Sequence, residues 1–182
     1  MQNPFLIGTN LYLRPLERAD APQAAAWLND PEVHYTLRTC FPITLRAEEE
    51  YIDRVTRSEH DLALVIVLRQ DDRAIGLVGL HEIDLRNRHA SFGITLGDKS
   101  SWGQGHGTEA TQLIVGHAFA TLNLNRVWLE VYEYNTRGLR AYEKAGFRRE
   151  GVLRQDNFRD GRYWDTILMA ILREEWDALR PV

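Results

Sequence analysis

A single cysteine, Cys40, in 182 residues leaves no internal disulfide and no cysteine-rich zinc site. No apolar run approaches the ~18 residues of a membrane span. Met1–Asn10 lacks the charged start and apolar centre of a secretory signal, so the cytoplasm is the expected compartment and no membrane partner is expected. Basic excess is also missing: 22 Lys and Arg against 26 Asp and Glu give a net charge of −4. That balance argues against nucleic acid as a partner and suits a cationic one. The six histidines, His34, His60, His81, His89, His106 and His117, show no zinc-ligand spacing, and no metal is expected. No base flanks Cys40, which reads as a packed or partly exposed thiol rather than a nucleophile. The runs Glu48-Glu49-Glu50 and Glu174-Glu175 read as solvated helix faces. No repeat, low-complexity tract or Pro/Gly/Ser linker divides the chain. With 44% hydrophobic residues, one domain over residues 1–182 is expected.

What is present is concentrated in Ser101–Ala110, Ser-Trp-Gly-Gln-Gly-His-Gly-Thr-Glu-Ala. Ala90–Leu96 before it alternates and is closed by Gly97-Asp98-Lys99-Ser100, which predicts a strand and a turn. After it Ala110, Leu113, Ile114, His117, Ala118 and Thr121 recur at helical spacing. Gly103, Gly105 and Gly107 have no Cβ to bar left-handed backbone angles or the close approach of a ligand. Free amides at the start of a helix favour an anion, and pyrophosphate is the natural guest. A Walker loop would need Gly-Lys-Ser/Thr where Gly107-Thr108-Glu109 stands. The dinucleotide fingerprint spaces its glycines differently and needs a later acidic residue. Neither a nucleotide hydrolase nor a hydride-transfer enzyme is indicated.

The remaining elements follow from the same signals. Leu11–Leu16 reads as a strand, and Ala19–Leu28 as a helix with Asp20 as N-cap and Pro22 in its first turn, ended by Asn29-Asp30-Pro31. Ala47–Thr56 reads as a second helix, Leu62–Leu68 and Ala74–Asp84 as a hairpin, and Val127–Glu133 as a strand. Thr136–Ala145 reads as a helix with Gly146 as C-cap and Phe147 entering the next strand. Gly151–Gln155 and Tyr163–Leu172 flank Asp160-Gly161, a strong two-residue hairpin signal. This order gives an α+β fold on a mixed sheet.

Trp102-Gly-Gln-Gly-His-Gly-Thr-Glu-Ala110 resembles the acetyl-coenzyme A motif of the GNAT N-acetyltransferases, in the Trp-Gly-x-Gly form of the ribosomal-protein and spermidine acetyltransferase branch. Asn135-Thr-Arg-Gly-Leu-Arg-Ala-Tyr142-Glu-Lys-Ala-Gly146-Phe147 is similar to a second family signature, Asn-x6-Tyr-x3-Gly-Phe. The resemblance runs from about Asn10 to Trp176. It implies a GNAT fold with a mixed, mostly antiparallel sheet flanked by helices, and two central strands that splay apart to hold acetyl-coenzyme A. Phe92, Ile94 and Leu96 would then meet the pantetheine arm through their main chain. Trp102, Gly103, Gln104, Gly105, His106, Gly107 and Thr108 would hold the pyrophosphate, His106 through its backbone amide. Asn135 reads either as a cofactor contact or as an N-cap, Trp102 either packs under the turn or borders the ligand, and His117 faces the buried side of its helix.

An alkyl ammonium of pKa near ~10.4 is only about one part in 2,500 neutral at pH 7, so a base or proton-accepting water assists its attack on a thioester. The oxyanion needs a donor, expected from a backbone amide near Ile94. Tyr142 matches the tyrosine that protonates the departing thiolate in many GNAT enzymes. Glu82 is the expected base, placed by alternation on one strand face with Val78, Leu80 and Asp84 as a buried carboxylate of raised pKa; its other reading is an ion pair with Arg86 or Arg88. Glu130, on the face of Trp128 and Tyr132, is a second candidate. Arg137, Arg140 and Lys144 read as contacts to the ribose 3′-phosphate or as solvated helix positions.

The resemblance implies direct transfer to a primary amine in a ternary complex. Val78–Asp84 and Phe158–Tyr163 are similar to segments of the spermidine and diamine acetyltransferases, while Thr39-Cys40-Phe41-Pro42 replaces that subgroup's Glu-Glu-Pro. A small amine or polyamine is favoured over a protein N-terminus, a non-catalytic coenzyme A-binding module is a third reading, and the Asp160-Gly161 hairpin offers an edge for a homodimer.

Overall fold

The computed structural model describes residues 1–179. Among them eight strands form one sheet in the order β1-β2-β3-β4-β5-β6-β8-β7. They are β1 (Leu6–Ile7), β2 (Leu11–Pro15), β3 (Leu62–Leu68), β4 (Ala74–Asp84), β5 (His89–Leu96), β6 (Arg126–Tyr132), β7 (Arg148–Arg159) and β8 (Arg162–Leu172). All neighbours are antiparallel except β5 and β6. The helices are α1 (Ala21–Asn29), α2 (Pro31–His34), α3 (Leu45–Val55), α4 (His106–Ala120), α5 (Thr136–Ala145) and α6 (Arg173–Ala178). No helix among the described residues is long and apolar enough to cross a membrane.

Alternation along the strands explains the layering. Leu11 and Leu13 of β2 and Leu64, Ile66 and Leu68 of β3 face a core closed by Ala110, Ile114 and Phe119 of α4, Leu139 and Tyr142 of α5 and Trp176 of α6. The intervening Tyr12, Val65 and Val67 face the other way, onto Ala21 of α1 and Ile52 and Val55 of α3. The sheet thus separates two helical layers, and the site passes through it.

The hairpin of β3 and β4 and the helix Thr136–Ala145 lie where the sequence reading puts them. Gly146 caps α5 at φ +102°, Phe147 is buried behind it, and Asp160-Gly161 turns at φ +54° and +78°. Other boundaries move. Helix α3 starts two residues early because the Thr44 hydroxyl accepts the Ala47 N–H at 3.1 Å, and β7 runs well beyond Gly151–Gln155. Asp20 stands at the N-terminus of α1 without capping it. Its carboxylate is taken by Arg14 at 2.6 and 2.8 Å and by the Glu17 N–H at 2.9 Å. Elements β1, α2 and α6 fall where no strand or helix was expected. In α2 the residues that end α1 begin a new turn, with Pro31 at its first position and Asp30 accepting from Glu32 and Val33.

Candidate active site

The two central strands separate. β5 pairs with β6 only from His89–Arg126 to Ser91–Trp128. Beyond that β5 stays bound to β4 as far as Leu96, and β6 stays bound to β8 as far as Tyr132. The β6-facing edge of Phe92–Leu96 is therefore free to pair with an extended ligand. Phe92, Ile94 and Leu96 turn their side chains to the core, as alternation predicts. The Leu96 carbonyl is already occupied, since the Trp102 indole N–H donates to it at 2.8 Å. Trp102 is thus anchored to the end of β5 and also borders the cleft at the glycine turn, and Arg137 stacks on its ring at 3.6 Å.

At one end of the split lies a cleft of about 290 Å3, lined by Leu96, Trp102, Gly103, Gly105, His106, Gly107 and Thr108 on one side and Arg137, Arg140 and Lys144 on the other. Gly103 and Gly105 adopt φ +75° and +86°, the left-handed angles the sequence anticipates. The first helical bond of α4 runs from the Glu109 N–H to the Gly105 carbonyl at 3.0 Å, which leaves the amides of residues 106 to 108 for an anion. The Glu109 carboxylate turns away and binds Asn10 at 2.8 and 2.9 Å, so no negative charge competes there. His106 is buried with Nδ1 3.3 Å from the Ser101 carbonyl, leaving its backbone amide for the ligand. The Thr108 hydroxyl reaches the Ala141 carbonyl at 3.5 Å. Gln104 lies outside the cleft because its amide donates to the Ser100 carbonyl at 2.6 Å. Its side chain satisfies a carbonyl of the turn. His117 is half-buried with its ring against Phe5, and burial lowers its pKa.

Behind the split is Tyr142, 9% exposed, edge-on to Phe92 with ring centres 5.9 Å apart. Burial pushes its phenol up to about 12, so it holds its proton at neutral pH. Among the described residues its hydroxyl has no hydrogen-bond partner, and it borders both the cleft and the cavity on the far side of the sheet. Asn135 borders both as well. It is an N-cap, accepting the Gly138 N–H at 2.9 Å, and its position at the junction leaves a ligand contact open.

That second cavity, of about 820 Å3, opens between the sheet and α3. Its carboxylates are Glu48, Asp61, Glu82 and Glu130, against Arg38 and Arg54. Arg38 pairs with Glu130 at 2.7 Å, so Glu130 is held in an ion pair. Glu82 departs from its expected place. A bulge between His81 and Asp84 adds a residue to β4, Glu82 takes φ +52°, and Ile83 enters the core instead. Glu82 is therefore exposed at the cavity wall rather than buried, and neither Arg86 nor Arg88 pairs with it. Arg88 is held by Asn123, at 2.7 and 3.0 Å.

Two features of this cavity escape the sequence reading. Glu48, expected on a solvated face, is 3% exposed, and its Oε1 has no partner among the described residues. Its spacing from Ile52 and Val55 carried that signal, since positions four and seven apart share a helix face. The second is a pair: His81 Nδ1 lies 2.8 Å from Asp61 Oδ1, because residues 61 and 81 flank Leu62–Leu80, the last pair of the β3–β4 ladder.

Burial raises the Glu48 pKa. In acid both the folded and the unfolded chain hold the proton. As pH rises the unfolded carboxyl ionises first, and folding then opposes ionisation, so stability falls. Glu48→Gln is expected to unfold at a higher temperature than the parent at neutral pH and at nearly the same temperature near pH 4, as thermal unfolding across that range would register.

Comparison with known proteins agrees with this geometry. The family described as "Acetyltransferase (GNAT) domain" matches residues 10–148. The uncharacterised N-acetyltransferase p20 of Bacillus licheniformis is 31% identical over 169 residues, covering 91% of this chain and 94% of that one. The spermidine N(1)-acetyltransferase of Escherichia coli strain K12 is 32% identical over 167 residues, covering 91% and 88%. The crystal structure of the Vibrio cholerae spermidine N-acetyltransferase in complex with CoA and spermine superposes with a TM-score of 0.85 at 28% identity, covering 93% of this chain and 99% of that one. An open strand pair, a glycine turn at a helix start and a family match over most of the chain lead to one conclusion: this protein belongs to the GNAT family of acetyl-coenzyme A-dependent N-acetyltransferases.

Proposed function

We propose that this enzyme transfers acetyl from acetyl-coenzyme A to a primary amine of a small cationic acceptor, by direct attack in a ternary complex. The observation that carries this reading is the junction of two oppositely charged cavities at Tyr142. Arg137, Arg140 and Lys144 line the cleft of the glycine turn without a carboxylate among its walls. The far cavity has more carboxylates than arginines. An anionic cofactor and an ammonium are thereby drawn to opposite sides of one gap.

In this reading the pyrophosphate sits on the amides of residues 106 to 108, the pantetheine lies along the free edge of β5, and Arg137, Arg140 and Lys144 meet the remaining phosphate. A backbone amide near Ile94 steadies the oxyanion. Tyr142 donates its proton to the departing thiolate. A phenol at about 12 is a weak acid beside an ordinary thiol of ~8.5. The same dry surroundings raise the thiol, however, and make a bare thiolate costly, which narrows the gap. A spermidine acetyltransferase among the relatives supports a small amine, although Thr39-Cys40-Phe41-Pro42 gives this chain a different approach to α3. The outer strand β7 and its hairpin expose Val152, Leu153, Phe158 and Tyr163, which supports pairing with a second copy of the chain.

Thiol release from acetyl-coenzyme A, followed against polyamines, aminoglycosides, amino acids and N-terminal peptides, tests the proposal. Release dependent on small amines is expected. Release with peptides alone would move the acceptor to protein N-termini, and no amine-dependent release would refute the transfer.

A further inference from the structure

Transfer leaves one task without an assigned group. The acceptor arrives as an ammonium, and something must take its proton on the side from which it attacks. On β5 the side chains alternate between the two faces of the sheet. Phe92 points to the core, where its ring meets Tyr142, while Ser91, Gly93 and Thr95 line the acceptor cavity. The floor there is hollowed by Gly79 and Gly93, which face each other across β4 and β5. The His81 imidazole lies over this floor. A Cβ at Gly79 would meet its Nε2 at 2.9 Å, and one at Gly93 would come within 3.9 Å of the same atom. Gly93 is the second residue of the edge that β6 leaves free. His81 Nε2 thus lies beside Gly93 on one face of β5, Tyr142 packs on the ring of the preceding Phe92 on the other, and both border the acceptor cavity.

The other ring nitrogen is fixed. Asp61 Oδ1 lies 2.8 Å from Nδ1, and Asp61 Oδ2 accepts the Ser58 hydroxyl at 2.7 Å. Desolvation pushes the Asp61 carboxyl up, but the hydrogen bonds from Ser58 and His81 outweigh it and hold the carboxyl below the usual range. An ionised Asp61 takes the Nδ1–H, which places the proton-accepting lone pair of a neutral imidazole on Nε2. The other charged groups of the cavity are Glu48 and Arg54 on α3, Glu82 on the bulge, and the Arg38–Glu130 pair across the split.

From this geometry we infer that His81 is the general base of the transfer and Asp61 the residue that positions it, an assignment that rests on the acetyl-transfer reading. His81 Nε2 takes a proton from the acceptor ammonium, directly or through one water. The freed amine forms a C–N bond to the thioester carbonyl carbon. The tetrahedral intermediate sheds its second N–H proton and breaks its C–S bond. Tyr142 gives the thiolate a proton and recovers one from the nitrogen through solvent. His81 passes its own proton to water, so one amide, one thiol and one proton result from one ammonium and one thioester.

The test uses full-length protein and whichever acceptor the wild type turns over. His81→Gln and His81→Ala are expected to lower kcat/KM by about 10²-fold or more and to abolish the rising limb of its pH profile, with coenzyme A affinity unchanged. Added imidazole is expected to restore part of the His81→Ala rate. Asp61→Asn is expected to lower kcat and distort the same limb without weakening coenzyme A binding. An unaltered limb in both His81 variants, with rates within about threefold of wild type, would overturn the assignment. So would loss of the limb in Glu82→Gln while His81→Gln keeps it. Failure of the wild type on every acceptor would instead refute the transfer itself.

Discussion

Tyr142→Phe is expected to cut kcat by about 10²-fold or more while leaving the dissociation constant for coenzyme A unchanged. The ring does the packing: it stands edge-on to Phe92 and tilted to Phe147, with centres 5.9 and 6.2 Å away, and phenylalanine keeps both contacts. The hydroxyl has no protein partner among the described residues, so removing it leaves no buried donor or acceptor unsatisfied. Folding should be indifferent to the change. On the proposed reading, what is lost is the proton that Tyr142 gives the departing thiolate. Steady-state thiol release together with a calorimetric coenzyme A titration separates the effects. A variant that turns over at the parental rate would show that solvent protonates the thiolate.

Gly105→Val should weaken acetyl-coenzyme A by about ten- to a hundredfold, equivalent to about 1.4–2.7 kcal/mol. Space is not the obstacle, because a Cβ at Gly105 meets nothing within 4 Å. The backbone is. At φ +86° a β-branched residue is strained by ~1–2 kcal/mol or more, and relaxing that angle shifts the amides of residues 106 to 108, which precede the first bond of α4. On the proposed reading the open space is also where a phosphate approaches. Gly105→Asn distinguishes the causes, since asparagine tolerates left-handed angles yet fills the approach. Comparable affinity loss in both variants would point to blocked access, and loss in valine alone to the backbone. Parental affinity in both would remove this turn from the phosphate site.

Local chemistry made much of the site legible. Glycines at alternate positions between a strand and a helix pointed to a turn suited to an anion, and Gly103 and Gly105 do carry the left-handed angles that glycine adopts cheaply. Tyr142 was legible through its place in the Asn-x6-Tyr-x3-Gly-Phe signature, while its helical spacing from Leu139 accounts for its burial on the inner face of α5. Glu82 was misplaced by the same reasoning: alternation assumes an unbroken ladder, and one extra residue reverses every side chain after it. Glu48 was misplaced because three glutamates in a row suggest a solvated surface, whereas a helix separates consecutive residues by about 100° and buries only one of them.

By itself, the sequence determined the strand, glycine turn and helix order around Gly103–Gly107, the helix stop at Gly146, the Asp160-Gly161 hairpin and membership of the family. Each depends on residues close together in the chain, where backbone angle and helical or strand period act directly. Only the tertiary structure decided that β5 and β6 part after Ser91, that Asp61 meets His81, and that Arg137, Arg140 and Lys144 line one cavity while four carboxylates line another, with Tyr142 bordering both. Those depend on register and on which strand lies beside which, quantities set by the packing of the whole sheet rather than by any one segment.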